Sequence, residues 1–160
     1  MNILFTLLLC VACTQTVQAQ NTIESIRKEY QGVKGWIELM CDSFPADGIP
    51  PEYYELIVKQ NLPATGGHEE IIRMYYGELE PEEEGAPYPP HFLRFATAKY
   101  NYAARQFYEE YLYDDKGQVM FIYALTPDVN LSELRPYELR MWFDGKRLLR
   151  FNAKKFEERS

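Results

Sequence analysis

Gln106-Phe107-Tyr108-Glu109-Glu110-Tyr111-Leu112-Tyr113-Asp114-Asp115-Lys116-Gly117-Gln118-Val119-Met120-Phe121-Ile122-Tyr123-Ala124-Leu125 is the stretch on which the fold turns. On an extended chain successive side chains point to opposite faces. Phe107, Tyr111 and Tyr113 therefore share one side of a strand over Gln106 to Tyr113. By the same parity the neighbours Glu109 and Glu110 point apart and cannot work as one acid–base pair. Asp114-Asp115-Lys116-Gly117 reads as a tight turn, after which Gln118 to Leu125 returns as a second strand.

The same pattern extends in both directions. Phe92 to Tyr102 is an aromatic-rich strand, and Glu69 to Glu78 is another. Glu52 to Gln60 has β-type composition, but Tyr54, Leu56 and Ile57 do not alternate cleanly, so a short helix is its other reading. Asn61 to His68, with Pro63 and the Gly66-Gly67 pair, is expected to be the loop of a long hairpin. Downstream, Thr126 to Pro136 is irregular. Glu138 to Phe143 and Lys146 to Phe151 flank Asp144-Gly145, a strong hairpin signal. The polar tail Asn152 to Ser160 is expected to fray or form one helical turn. Glu80 to Pro90 combines Glu80, Glu82, Glu83 and Glu84 with prolines, which excludes a central strand. It reads as a mobile surface loop inside a single domain spanning 20–160.

One segment has the other period. Ile23, Ile26, Tyr30, Val33, Ile37, Met40 and Cys41 recur at helical spacing from Asn21 to Cys41, and Pro45 ends the run. Asn21 and Glu24 form a capping pair. Gly32 and Gly35 each cost up to about 1 kcal/mol against Ala, so this helix needs tertiary support. The expected class is α+β: an N-terminal helix packed on a six- to seven-stranded antiparallel meander sheet. A half-closed barrel is the other form such a meander can take.

The first nineteen residues carry no charge, including no Lys or Arg at the start. The apolar run Ile3 to Cys13 and the small residues around Ala19 have the layout of a secretory signal peptide over 1–19. Eleven apolar residues cannot cross a hydrocarbon core that needs about twenty. Cleavage after Ala19 would leave Cys41 alone, without an internal disulfide. Lipid attachment at Cys13, in Cys10-Val11-Ala12-Cys13, is the competing outcome. The protein is thus expected to be exported, periplasmic or secreted, or else lipid-anchored. No later stretch is apolar enough for a transmembrane helix.

Charge narrows the partners. Over residues 20–90, five basic face fourteen acidic side chains; over 91–160, twelve face ten. An acidic half of this kind argues against nucleic acid, which needs clustered Lys and Arg. Catalytic signals are weak. After Ala19 there is no Gly-x-Ser-x-Gly, phosphate-binding Gly loop or Cys-x-x-Cys. His68 and His91 read as solvated loop histidines, and the glutamates of 80–84 match no EF-hand. Cys41, on the apolar stripe, reads as a buried and inert thiol. No motif asks for a cofactor or metal. The unusual feature is the thirteen tyrosines, all after Ala19. Tyrosine offers contact area with a polar tip, which suits interfaces and flat ligands.

Lys99 to Asp114 followed by Val119 to Tyr123, Lys59 to Gly66, and Trp142-Phe143-Asp144-Gly145-Lys146 to Phe151 resemble uncharacterised exported small proteins of Bacteroidetes. That resemblance implies a secreted or envelope setting and assigns no activity. The reading that follows is a non-enzymatic interaction module of a bacterial cell envelope. Its candidate contact residues for a protein partner are Tyr53, Tyr75, Tyr108, Tyr111 and Tyr113. A small-ligand or glycan binder is the alternative, and a hydrolase built on His68, His91 and loop glutamates the third.

Overall fold

A computed structural model of the chain describes residues 22–39, 53–80, 90–127 and 137–155. The expected signal peptide, Cys13, Cys41 and most of the acidic loop lie outside them. Residues 22–39 form a helix, α1. Seven strands follow: β1 (Tyr54–Leu62), β2 (Gly66–Glu78), β3 (His91–Tyr102), β4 (Arg105–Tyr113), β5 (Val119–Thr126), β6 (Tyr137–Asp144) and β7 (Arg147–Lys155). They make one sheet in the order β1-β2-β3-β4-β5-β6-β7, every neighbouring pair antiparallel. The meander is open rather than a half-closed barrel, with β1 and β7 as its edges.

Local chemistry explains the turns. Asp114 accepts backbone N–H bonds from Lys116 at 3.0 Å and Gln118 at 2.7 Å through Oδ1. Gly117 follows at φ 74°, in the left-handed region that glycine enters without steric cost. Gly145 enters the same left-handed region at φ 58° to close the last hairpin, where Asp144 pairs with Arg147 at 2.7 Å.

The segment from Tyr54 is a strand, as its β-type composition suggests, and its helical alternative falls away because its full length pairs with β2. Two expectations need correction. The expected eight-residue loop from Asn61 to His68 shrinks to Pro63, Ala64 and Thr65. Ala64 at φ 65° and Gly66 at φ 82° reverse the chain quickly, so Gln60 pairs with His68 and Asn61 with Gly67. Finally, Asn152 to Lys155 is not a frayed tail. It completes β7, with Lys155 opposite Tyr137, because β6 offers backbone partners that far. The flanks of the acidic loop are tied together by Leu79 N–H donating to Pro90 O at 2.8 Å.

The core lies between α1 and one face of the sheet. Register sets Tyr75 against Phe95, Phe95 against Leu112, Leu112 against Phe121, and Phe121 against Trp142. This row crosses five strands, and every member is buried. Ile23, Ile26 and Val33 of α1 bury against it, joined by Tyr30 and Ile37. The Tyr30 ring meets Phe121 edge-on at 4.7 Å. Burying each Leu or Phe contributes roughly 1.5–3 kcal/mol, enough together to hold a helix interrupted by Gly32 and Gly35.

Candidate functional site: the two faces of the sheet

Strand parity divides the polar chemistry as it divides the core. Glu110 points beneath α1 and is 2% exposed. It accepts hydrogen bonds from the hydroxyls of Tyr30 and Tyr108, the latter at 2.7 Å, and pairs with Lys34 Nζ at 2.8 Å. The ammonium from α1 supplies the charge that a buried carboxylate requires. Burial, and then the bond to Glu110, push both phenols well above the ordinary tyrosine range. Donating a proton to a carboxylate favours the neutral phenol.

Glu109 points to the other face. It accepts from Tyr100 at 2.9 Å and from Tyr111. Burial and the Glu109 bond raise the Tyr100 phenol to about 12 and move Tyr111 in the same direction. Among the described residues no lysine or arginine pairs with Glu109. No described helix or strand packs on this second face.

Small residues form its floor. Ala98 stands opposite Glu109, Glu109 opposite Ala124, and Ala124 opposite Leu139. Around this row lie Tyr54, Leu56, Ile72, Met74, Ile122, Met141 and Phe151, which register places on the same side. Tyr54 is 69% exposed and Phe151 52% exposed. Tyr111 and Tyr113 lie side by side on it, their centroids 6.5 Å apart.

The five tyrosines singled out from sequence do not form one patch. Tyr75 is in the core, and Tyr108 is engaged by Glu110 beneath the helix. Tyr53, just before β1, lies on the helix side, 5.6 Å from Tyr75 and with the Arg73 guanidinium over its ring at 5.3 Å. Only Tyr111 and Tyr113 belong to the second face. Sequence reasoning missed Tyr100 as a partner of Glu109, and Tyr54 and Phe151 as exposed aromatics. Parity offered a signal for Tyr111, but grouping it with Tyr100 requires the β3–β4 register.

The histidines also need correction. His68 is not in a loop; it sits within β2, its Nδ1 2.6 Å from the Asn101 carbonyl oxygen. His91 opens β3, opposite Glu78. Ten residues of strand, about 33 Å at roughly 3.3 Å per residue, separate His68 from that end of β2. The two rings cannot serve one reaction centre. Among the described residues no three His, Cys, Asp or Glu side chains gather to hold a metal ion.

A concavity lies where β1 begins. Trp36, Tyr53, Tyr54 and Tyr76 line a groove of about 920 Å³ with Glu78, His91 and Arg94 among its polar members. No described helix is long and apolar enough to cross a membrane. No protein-family profile matches the chain, and no curated protein or solved structure matches it either.

Proposed function

We propose that the chain is an exported, non-enzymatic interaction module of a bacterial cell envelope that binds a protein partner through the second face of its sheet. One observation carries this reading. That face bears aromatic and aliphatic side chains from β1 to β7, while α1 occupies the other. Apolar side chains left partly exposed across a sheet face mark interaction sites. Tyrosine suits it, because the ring supplies area and the hydroxyl keeps a hydrogen bond. The Glu109 cluster holds Tyr100 and Tyr111 in fixed orientations, which lowers the side-chain ordering cost of association.

The test is photo-crosslinking in the producing cells. A photoreactive residue replaces Leu56 or Phe151 on the second face, or Lys28 on the exposed side of α1. A discrete product from the first two positions and none from Lys28 is expected. Equal labelling from all three, or none from any, overturns the reading. Mass measurement of the exported protein tests cleavage after Ala19 against lipid attachment at Cys13.

The aromatic groove at the start of β1 favours a second reading, a small-ligand or glycan binder. Trp36 lines it, so its fluorescence reports occupancy. Emission unchanged across a glycan and lipid panel removes that reading.

A further inference from the structure

The two edges of the sheet are built differently. β7 carries four Lys or Arg among its nine residues, the charge pattern that blunts strand edges against pairing. β1 has one lysine among nine, no proline, and pairs with β2 over its whole length without a register shift. Ile57 on this edge is 50% exposed. Nothing on β1 itself blocks the addition of another strand.

Its charge pattern selects the strand that fits. Set antiparallel to its own copy with Ile57 facing Ile57, β1 brings Glu55 opposite Lys59 twice. Within the chain Glu55 already holds Arg73 at 2.7 Å, and Lys59 holds Glu69 at 3.3 Å. Across the junction the row then runs Arg73, Glu55, Lys59 of the second copy, Glu69 of the second copy, with signs alternating at every step. The row beside it joins Ile71 and Ile57 to the same pair from the second copy. Opposite charges and β-branched pairs facing one another across strands are both favourable. Antiparallel registers shifted by two residues lose the Glu55–Lys59 match.

We infer that β1 is a homodimerisation edge, pairing with β1 of a second copy about a two-fold axis through Ile57 to give one continuous fourteen-stranded sheet. The helices lie on the same side of that sheet, and the apolar faces of both copies become continuous. A single strand pair buries less than the roughly 1,200 Å² of a standard interface. The dimer is therefore reversible and concentration-dependent.

Sedimentation velocity of the purified protein over a wide concentration range tests this. Wild type moves from monomer to dimer as concentration rises. Lys59→Glu and Glu55→Lys each place like charges opposite one another at two points, so each weakens self-association by about tenfold or more. Mixed in equal amounts, the two variants complement each other and dimerise again. Circular dichroism and melting curves confirm that both are folded. A wild type that stays monomeric throughout overturns the inference. So does a folded Lys59→Glu protein that dimerises like wild type, or a mixture that stays monomeric.

Discussion

Glu109 and Glu110 are neighbours in the chain, and each accepts hydrogen bonds from two tyrosine hydroxyls. Their settings are opposite. Glu110 lies under a helix that delivers both Tyr30 and the compensating Lys34. Glu109 lies on the face without a described covering element, served by strands β3 and β4 alone. The same three-group motif is thus a structural clasp on one side and a surface fixture on the other. The difference lies in desolvation. A carboxylate removed from water needs a cation and full hydrogen bonding, whereas one still partly hydrated needs neither.

Substitutions can break or sharpen this contrast. The largest loss is expected in the apolar row beneath the helix. Phe95→Ala should cost about 4 kcal/mol in denaturant unfolding, since a buried ring leaves a cavity that its neighbours cannot fill. Next comes Glu110→Ala, at about 3 kcal/mol, because Lys34 and two phenols lose their shared, buried acceptor. Glu109→Ala should cost only about 1 kcal/mol, the worth of ordinary hydrogen bonds with water at hand. Equal losses from the two glutamates would erase the distinction between the faces. Leu56→Ser on the second face should change stability by less than about 0.5 kcal/mol while reducing partner crosslinking.

The finest test is spectroscopic. Tyrosine ionisation followed by ultraviolet absorbance should show Tyr100 titrating near 12, with Tyr30 and Tyr108 later still. The folded pKa values exceed the unfolded value of 10.0, so the native state binds more protons between them. The stability Tyr100 contributes is complete below about pH 10 and is lost as pH rises through about 12, while that of Tyr30 and Tyr108 is lost at higher pH. Glu110→Gln should bring Tyr30 and Tyr108 down and leave Tyr100 in place. A common midpoint for all the tyrosines would contradict the assigned hydrogen bonds.

Much of this architecture was legible in the residues. Period-two alternation marked the strands, Asp114 to Gly117 and Asp144-Gly145 marked the turns, and the Ile23 to Ile37 stripe marked the helix. Parity alone placed Glu109 and Glu110 on opposite faces. These are local properties, set by the geometry of one strand or one turn. Parity says only that two side chains differ in side; it does not say which side a helix will cover. That was decided when α1 buried its stripe on the row from Tyr75 to Trp142. Cross-strand register, a relation between residues far apart in the chain, then brought Tyr100 to Glu109, drew His68 into β2, and extended β7 to Lys155. The face a tyrosine belongs to, and hence whether it serves as core, clasp or contact surface, follows from that packing, because burial is a property of the assembled layers and not of any single strand.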